Sequence, residues 1–203
     1  MIGRAALVSA VGALLALTLT LPMLAPAQAQ TPGQPIGASP GVQRSERQIS
    51  LPPGLRLQRA DGVVVGLREA LADGRPVVLS FMYSSCATVC PITNQTLVEF
   101  ARQLGGEYPS VNIVSISIDP DHDSVKKLAE YARRTGGRGS FLTSDPGTSE
   151  AVQRAFDAWR GDKMNHQPGF FLTRHPDRGW VRLDGLVSPR QLLAEYRRLV
   201  GGG

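Results

Sequence analysis

The chain has 203 residues, 22 Lys and Arg against 17 Asp and Glu, a formal charge of +5, and only two cysteines. Its basic residues are scattered as singles and pairs such as Arg133-Arg134 and Arg197-Arg198, with no stripe of interleaved aromatics, which excludes a nucleic-acid surface. Two cysteines also exclude a small disulfide scaffold, so folding must rest on a hydrophobic core.

The N-terminus is Met1-Ile2-Gly3-Arg4, then an apolar run from Ala5 to Leu21, then Ala25-Pro26-Ala27-Gln28-Ala29-Gln30. A cationic start, an apolar centre and overlapping A-x-A sites predict a secretory signal peptide over residues 1–29. As a helix the run would span about 25 Å, short of a bilayer core of about 30 Å, so cleavage is favoured over a retained N-terminal anchor. Contact with a membrane is expected only through this segment, if it is kept. No cysteine stands near the cleavage region, which excludes a lipid-modified N-terminus. Cleavage after Ala29 leaves 174 of the 203 residues, one domain's worth, and removes Arg4, taking the charge from +5 to +4.

Residues 30–50 are rich in Pro, Gly, Gln and Ser and predict a flexible linker, with order beginning near Leu51. The body, 51–203, alternates. Val63 to Val65 is a short strand, Leu67 to Ala72 a helical turn, and Val77 to Met82 a continuous apolar run of buried-strand type. A helix follows from about Thr93 to Leu104. Val111 to Ile118 is a second core strand, and Asp123 or Ser124 can cap a helix running to Arg134. Phe141 to Thr143 is a third strand and Ser149 to Trp159 a third helix. Phe170 to Thr173 and Trp180 to Leu183 form a hairpin, and a last helix spans Pro189 to Val200. The order predicts one α/β domain with a central sheet flanked by helices.

Both cysteines lie in Ser84-Ser85-Cys86-Ala87-Thr88-Val89-Cys90-Pro91, where the first core strand hands over to a helix. Sites of open α/β sheets gather at such carboxyl ends of strands. With Pro91 at the first helical position, Cys90 stands at or beside the cap, where free amides and the helix dipole favour thiolate. Cysteines at i and i+4 can face the same side and either close a disulfide or chelate one soft ion. A permanent staple would close a very small loop and add little stability. A metal needs a third donor, and soft thiolates with imidazole suit Cu(I). Of the three histidines, His122 reads as a turn residue and His175 as a surface residue of the hairpin. His166 lies in Asn165-His166-Gln167-Pro168, in a loop feeding the strand at Phe170, where thioredoxin-like folds place a proline against the cysteine helix, often with a cis bond. Met164, two residues away, carries a thioether that can ligate Cu(I), and reads as a loop contact. Trp159 and Trp180 read as packing. Asp119, Asp121 and Asp123 lack the Gly and terminal Glu of a calcium loop and read as a turn with a helix cap.

Three stretches together resemble the Sco/SenC family of copper proteins: Gly74-Arg75-Pro76-Val77-Val78-Leu79-Ser80-Phe81 followed by C-x-x-x-C-P, Ser115 to Asp123, and a lone histidine before a late strand. The similarity covers roughly Leu55 to Leu199. It implies a thioredoxin-like fold, a periplasmic location or an inner-membrane anchor facing the periplasm, and copper bound through Cys86, Cys90 and His166. It also implies a role in assembling the dinuclear copper centre of cytochrome c oxidase. The partner would be that enzyme's copper-bearing subunit or another periplasmic copper or thiol protein. The alternative is a thiol-disulfide reductase using the Cys86/Cys90 dithiol with little copper role. Many family members have Pro-Asp between the cysteines and Asp before the histidine; here Ala87-Thr88 and Asn165 stand instead. Both changes remove negative charge, which favours Cu(I) over Cu(II), or leaves thiol chemistry dominant. Val89-Cys90-Pro91 also resembles the V-C-P of peroxiredoxins, but Tyr83 and Ala87 replace the Pro and hydroxyl of that site, so a peroxidase is not expected.

Overall fold

The computed structural model describes residues 41–202. The expected signal peptide and the first part of the expected linker lie outside the described residues. Among the described residues, no helix is long and apolar enough to cross a membrane.

Among the described residues, eight strands form one sheet: β1 (Gln43–Arg47), β2 (Arg56–Arg59), β3 (Val64–Gly66), β4 (Val77–Met82), β5 (Asn112–Ser117), β6 (Ser140–Thr143), β7 (Gly169–Thr173) and β8 (Trp180–Asp184), in the spatial order β1-β8-β7-β4-β5-β6-β2-β3. Strand β4 is central, parallel to β5 and antiparallel to β7. All six of its residues are buried, as a strand covered on both faces requires. Val77, Leu79 and Phe81 face a core closed by α1 (Leu67–Leu71) and α4 (Pro146–Ala155). Val78 faces the opposite core, under α2 (Val89–Leu104) and α5 (Pro189–Gly201). Met82 enters a third cluster with both cysteines and with Leu128 and Tyr131 of α3 (Val125–Thr135). This alternation follows from the two-residue side-chain period of a strand. The expected α/β class with a central sheet flanked by helices is the fold observed.

Helix ends follow local chemistry. Ser124 caps α3 by accepting from the Lys127 amide, and Gly136, at φ 64°, ends it in the left-handed conformation. Asp145 accepts from the Thr148 amide ahead of Pro146 at the first turn of α4, so that helix starts before the expected Ser149. Ser188 and Gln191 form a capping box on α5.

Two corrections bear on the site. Helix α2 begins at Val89, not near Thr93, because Pro91 sits inside the first turn, where no amide partner is required. Order also begins ahead of Leu51: β1 lies within the stretch expected to be a flexible linker. It pairs antiparallel with β8, Gln43 opposite Asp184 through Arg47 opposite Trp180. This strand is polar and mostly exposed, so composition hides it; what holds it is the ladder and the Arg44 side chain, whose Nε lies 3.0 Å from the buried Glu195 carboxylate.

Candidate metal and dithiol site

The polypeptide leaves β4 at Met82 and turns through Tyr83, Ser84 and Ser85 before Cys86. Three contacts fix that turn. The Cys86 amide donates to the Tyr83 carbonyl at 3.2 Å, the Ile118 amide donates to the Met82 carbonyl at 2.9 Å, and the Ser84 amide donates to Asp123 Oδ2 at 3.0 Å. The Ser84 hydroxyl donates to the same carboxylate, as does Ser117 Oγ at 2.6 Å. Asp123 is fully buried and carries both the end of β5 and the cysteine turn. Of the two expected cap candidates for α3, Asp123 and Ser124, the second takes the role. Asp123 is the buried anchor.

Thr88 is the N-cap residue of α2, but its side chain caps nothing. The Cys86 sulfur takes that role, accepting from the Cys90 amide at 3.4 Å, with Thr88 Oγ1 3.7 Å away. The free amide that a helix start must satisfy is given to sulfur. Pro91, the third helical residue, has no amide to satisfy. Burial alone would push the Cys86 thiol up, but the Cys90 and Thr88 backbone and side-chain donors outweigh it and bring it down to about 6. Cys90 is pushed up to about 12, first by burial and then by the Cys86 sulfur, against an opposing hydrogen bond from the Tyr83 backbone. Both cysteines are free thiols. They form an unequal pair: one held as thiolate at the helix N-terminus, one held as thiol beneath it.

Behind Cys90 lies a cavity of about 10 Å³ lined by Ser80, Thr93, Asn94, Ser115 and Tyr131 among others. Asn94 Oδ1 and the Tyr131 hydroxyl have no hydrogen-bond partner among the described residues.

His166 lies on the loop between a 3-10 turn (Lys163–Asn165) and β7. Its amide donates to the Lys163 carbonyl at 3.1 Å. Burial lowers the basicity of its imidazole, and a hydrogen bond to the Phe81 backbone opposes that. Its ring meets Tyr83 edge-on, centroids 6.4 Å apart. The structure therefore brings Cys86 and Cys90 together and places His166 across Tyr83 from them. Among the described residues, no three His, Cys, Asp or Glu side chains converge closely enough to hold a metal ion. Asn165 is exposed and hydrogen-bonds through its backbone, to Asp162 and Gln167. Pro168 is held where its carbonyl accepts from the Gly185 amide at 2.9 Å, and its peptide is trans rather than cis. A Cβ on Gly169 would lie 2.5 Å from the Leu183 carbonyl oxygen, so only glycine fits there. His122 and His175 are exposed, as expected. His122 lies beside Lys127 Nζ, and His175 in the β7–β8 turn beside Asp177.

The SCO1/SenC family model matches residues 56–201. Among curated proteins, the chain is 29% identical over 127 residues to a SCO1 protein homolog of Bacillus subtilis, covering 57% of this chain and 64% of that protein. It is 32% identical over 125 residues to the mitochondrial SCO2 homolog of Bos taurus, covering 61% and 45%. The chain thus spans less than two thirds of these relatives. Among solved structures, Bradyrhizobium japonicum ScoI with copper bound superposes with a TM-score of 0.61 at 23% identity, covering 71% of this chain and 96% of that one. Yeast Sco1 with copper bound gives 0.62 at 19%, covering 73% and 91%. These likenesses place the fold among thioredoxin-like Sco structures.

Proposed function

This chain belongs to the SCO1/SenC family, and from that premise we propose that it is an exported copper-binding protein that hands copper to the copper-bearing subunit of cytochrome c oxidase. The copper is cargo, held by Cys86, Cys90 and His166. The observation that carries the reading is the sulfur of Cys86 sitting on the Cys90 amide at the start of α2. That contact gives a thiolate at neutral pH with a second thiol one helical turn away, and an imidazole kept neutral by burial lies beyond Tyr83. Two sulfurs and one nitrogen make a soft donor set suited to Cu(I), and the two structural neighbours above were solved with copper bound. Completing the set requires His166 and the two sulfurs to draw closer together. Delivery then proceeds by exchange of donors, an acceptor's cysteines replacing these one at a time. The mature protein works in the periplasm, or on the inner membrane facing it if the N-terminal segment is retained.

A second reading, thiol-disulfide reductase, is favoured by the inequality of the thiols. The Cys86 thiolate attacks a partner disulfide, forming a mixed disulfide and expelling one partner thiolate. That thiolate takes the Cys90 proton; Cys90 sulfur then attacks Cys86, forming the Cys86–Cys90 disulfide and releasing the second partner thiolate.

Copper titration of the reduced protein and of His166→Ala separates the two. One copper per chain, with a thiolate-to-Cu(II) charge-transfer band lost in the variant, supports delivery. Absence of stoichiometric copper, with disulfide reduction unchanged in the variant, leaves the reductase.

A further inference from the structure

The turn that carries Met164 is built without the Met164 side chain. The Asp162 carboxylate accepts the Met164 amide at 2.8 Å, the Asp162 carbonyl accepts the Asn165 amide at 3.0 Å, and Lys163 Nζ reaches Asp119 Oδ2 at 2.5 Å. The residue is 74% exposed, the highest value among the exposed large apolar residues described. Among the described residues its one polar contact is with the Tyr83 hydroxyl, 3.9 Å from the sulfur. Tyr83 also packs in one buried cluster with Cys86 and Cys90. The same ring meets His166. One phenol thus stands between a thiolate, a thioether and an imidazole.

We propose that Met164 is a Cu(I) ligand on the outer side of the dithiol, sharing the cargo with Cys86 when copper enters or leaves. This rests on the copper reading and assigns its route. A thioether is neutral, soft and weaker than a thiolate, so it holds Cu(I) without trapping it and offers little to Cu(II). Three rotatable bonds let it follow the metal past Tyr83 toward Cys86 while His166 comes in. A leucine would serve equally well as a mere loop contact, which makes the substitution decisive.

The test is Cu(I) binding by the reduced full chain and by Met164→Leu, in competition with a chromophoric Cu(I) chelator, with X-ray absorption at the copper edge. The expected variant binds Cu(I) about tenfold more weakly, shows fewer sulfur scatterers, and keeps the parent's Cu(II) charge-transfer band and urea midpoint. Equal Cu(I) affinity and equal sulfur count in parent and variant would overturn the Met164 assignment and leave the copper reading standing. A parent that takes up no stoichiometric Cu(I) overturns both.

Discussion

The Cys90 amide donates to the Cys86 sulfur at 3.4 Å, so the second cysteine of the motif tunes the first through its backbone as well as its thiol. Thr88, between the cysteines, adds its hydroxyl 3.7 Å from the same sulfur. Neither Ala87 nor Thr88 carries a negative charge, and the Thr88 donor favours thiolate at Cys86.

The two thiols should therefore titrate far apart. In pH-dependent alkylation of the reduced protein, one thiol reacts with a midpoint near 6 and the other stays protected to well above pH 9. Stability follows the same shifts. Cys86 is depressed in the folded state, so its contribution is present above the ordinary thiol range and is lost as pH falls through about 6. Cys90 is raised, so its contribution is present below the ordinary range and is lost as pH rises toward about 12. Urea midpoints of the reduced protein should rise from pH 6 toward 9 through Cys86 and fall beyond it through Cys90. A flat profile in Cys86→Ser between pH 6 and 9 assigns the rising limb.

Asp123 is fully buried and receives the Ser84 amide, the Ser84 hydroxyl and the Ser117 hydroxyl. Asp123→Ala leaves these donors stranded and should cost about 2–4 kcal/mol in urea unfolding. It also frees the turn that carries Cys86, so the alkylation midpoint should move back toward the ordinary thiol range. A loss of stability with an unmoved midpoint would show that Asp123 supports the fold but does not position Cys86.

Strand β4 and the dithiol were plain in the sequence because their signals are local: six consecutive apolar or small residues, and two cysteines four apart before a proline. Asp123 was not, since its partners Ser84 and Ser117 are set by how β4 and β5 pair in parallel. The start of α2 was displaced because the residue before a proline normally avoids helix, whereas here Cys90 is helical with its amide given to sulfur. Strand β2, Arg56–Arg59, was missed for its polarity: an arginine at each end and Gln58 leave one fully buried residue, Leu57. Strand β1 offers no hydrophobic signal, only the tertiary pairing of Arg44 with Glu195.

That pairing can be tested directly. Glu195 is 5% exposed and is shared by Arg44 and Arg198. Arg44→Ala removes one of its two partners and loosens β1 from the sheet edge. A loss of about 1 kcal/mol is expected, because Arg198 remains and the arginine is partly solvated. Amide hydrogen exchange should quicken along Gln43–Arg47 and its partner Trp180–Asp184, and nowhere near the cysteines. Uniform quickening across the domain would mean that β1 holds the whole core.

Asn165 stands one position before the proposed ligand His166. Its side chain is exposed, and its hydrogen bonds run through the backbone, so it does not hold the imidazole in place. An aspartate there would act through charge alone, at the surface and partly screened, which limits its effect to about 1 kcal/mol. The added charge favours the doubly charged ion over the singly charged one. Asn165→Asp should therefore raise Cu(II) affinity relative to Cu(I) by up to about fivefold, with the larger share lost at high salt. Competition titrations for both ions at low and high ionic strength measure it. An unchanged Cu(I)/Cu(II) preference would mean that the oxidation-state bias of this site lies in Ala87-Thr88 and the amide-held Cys86, not in the histidine loop.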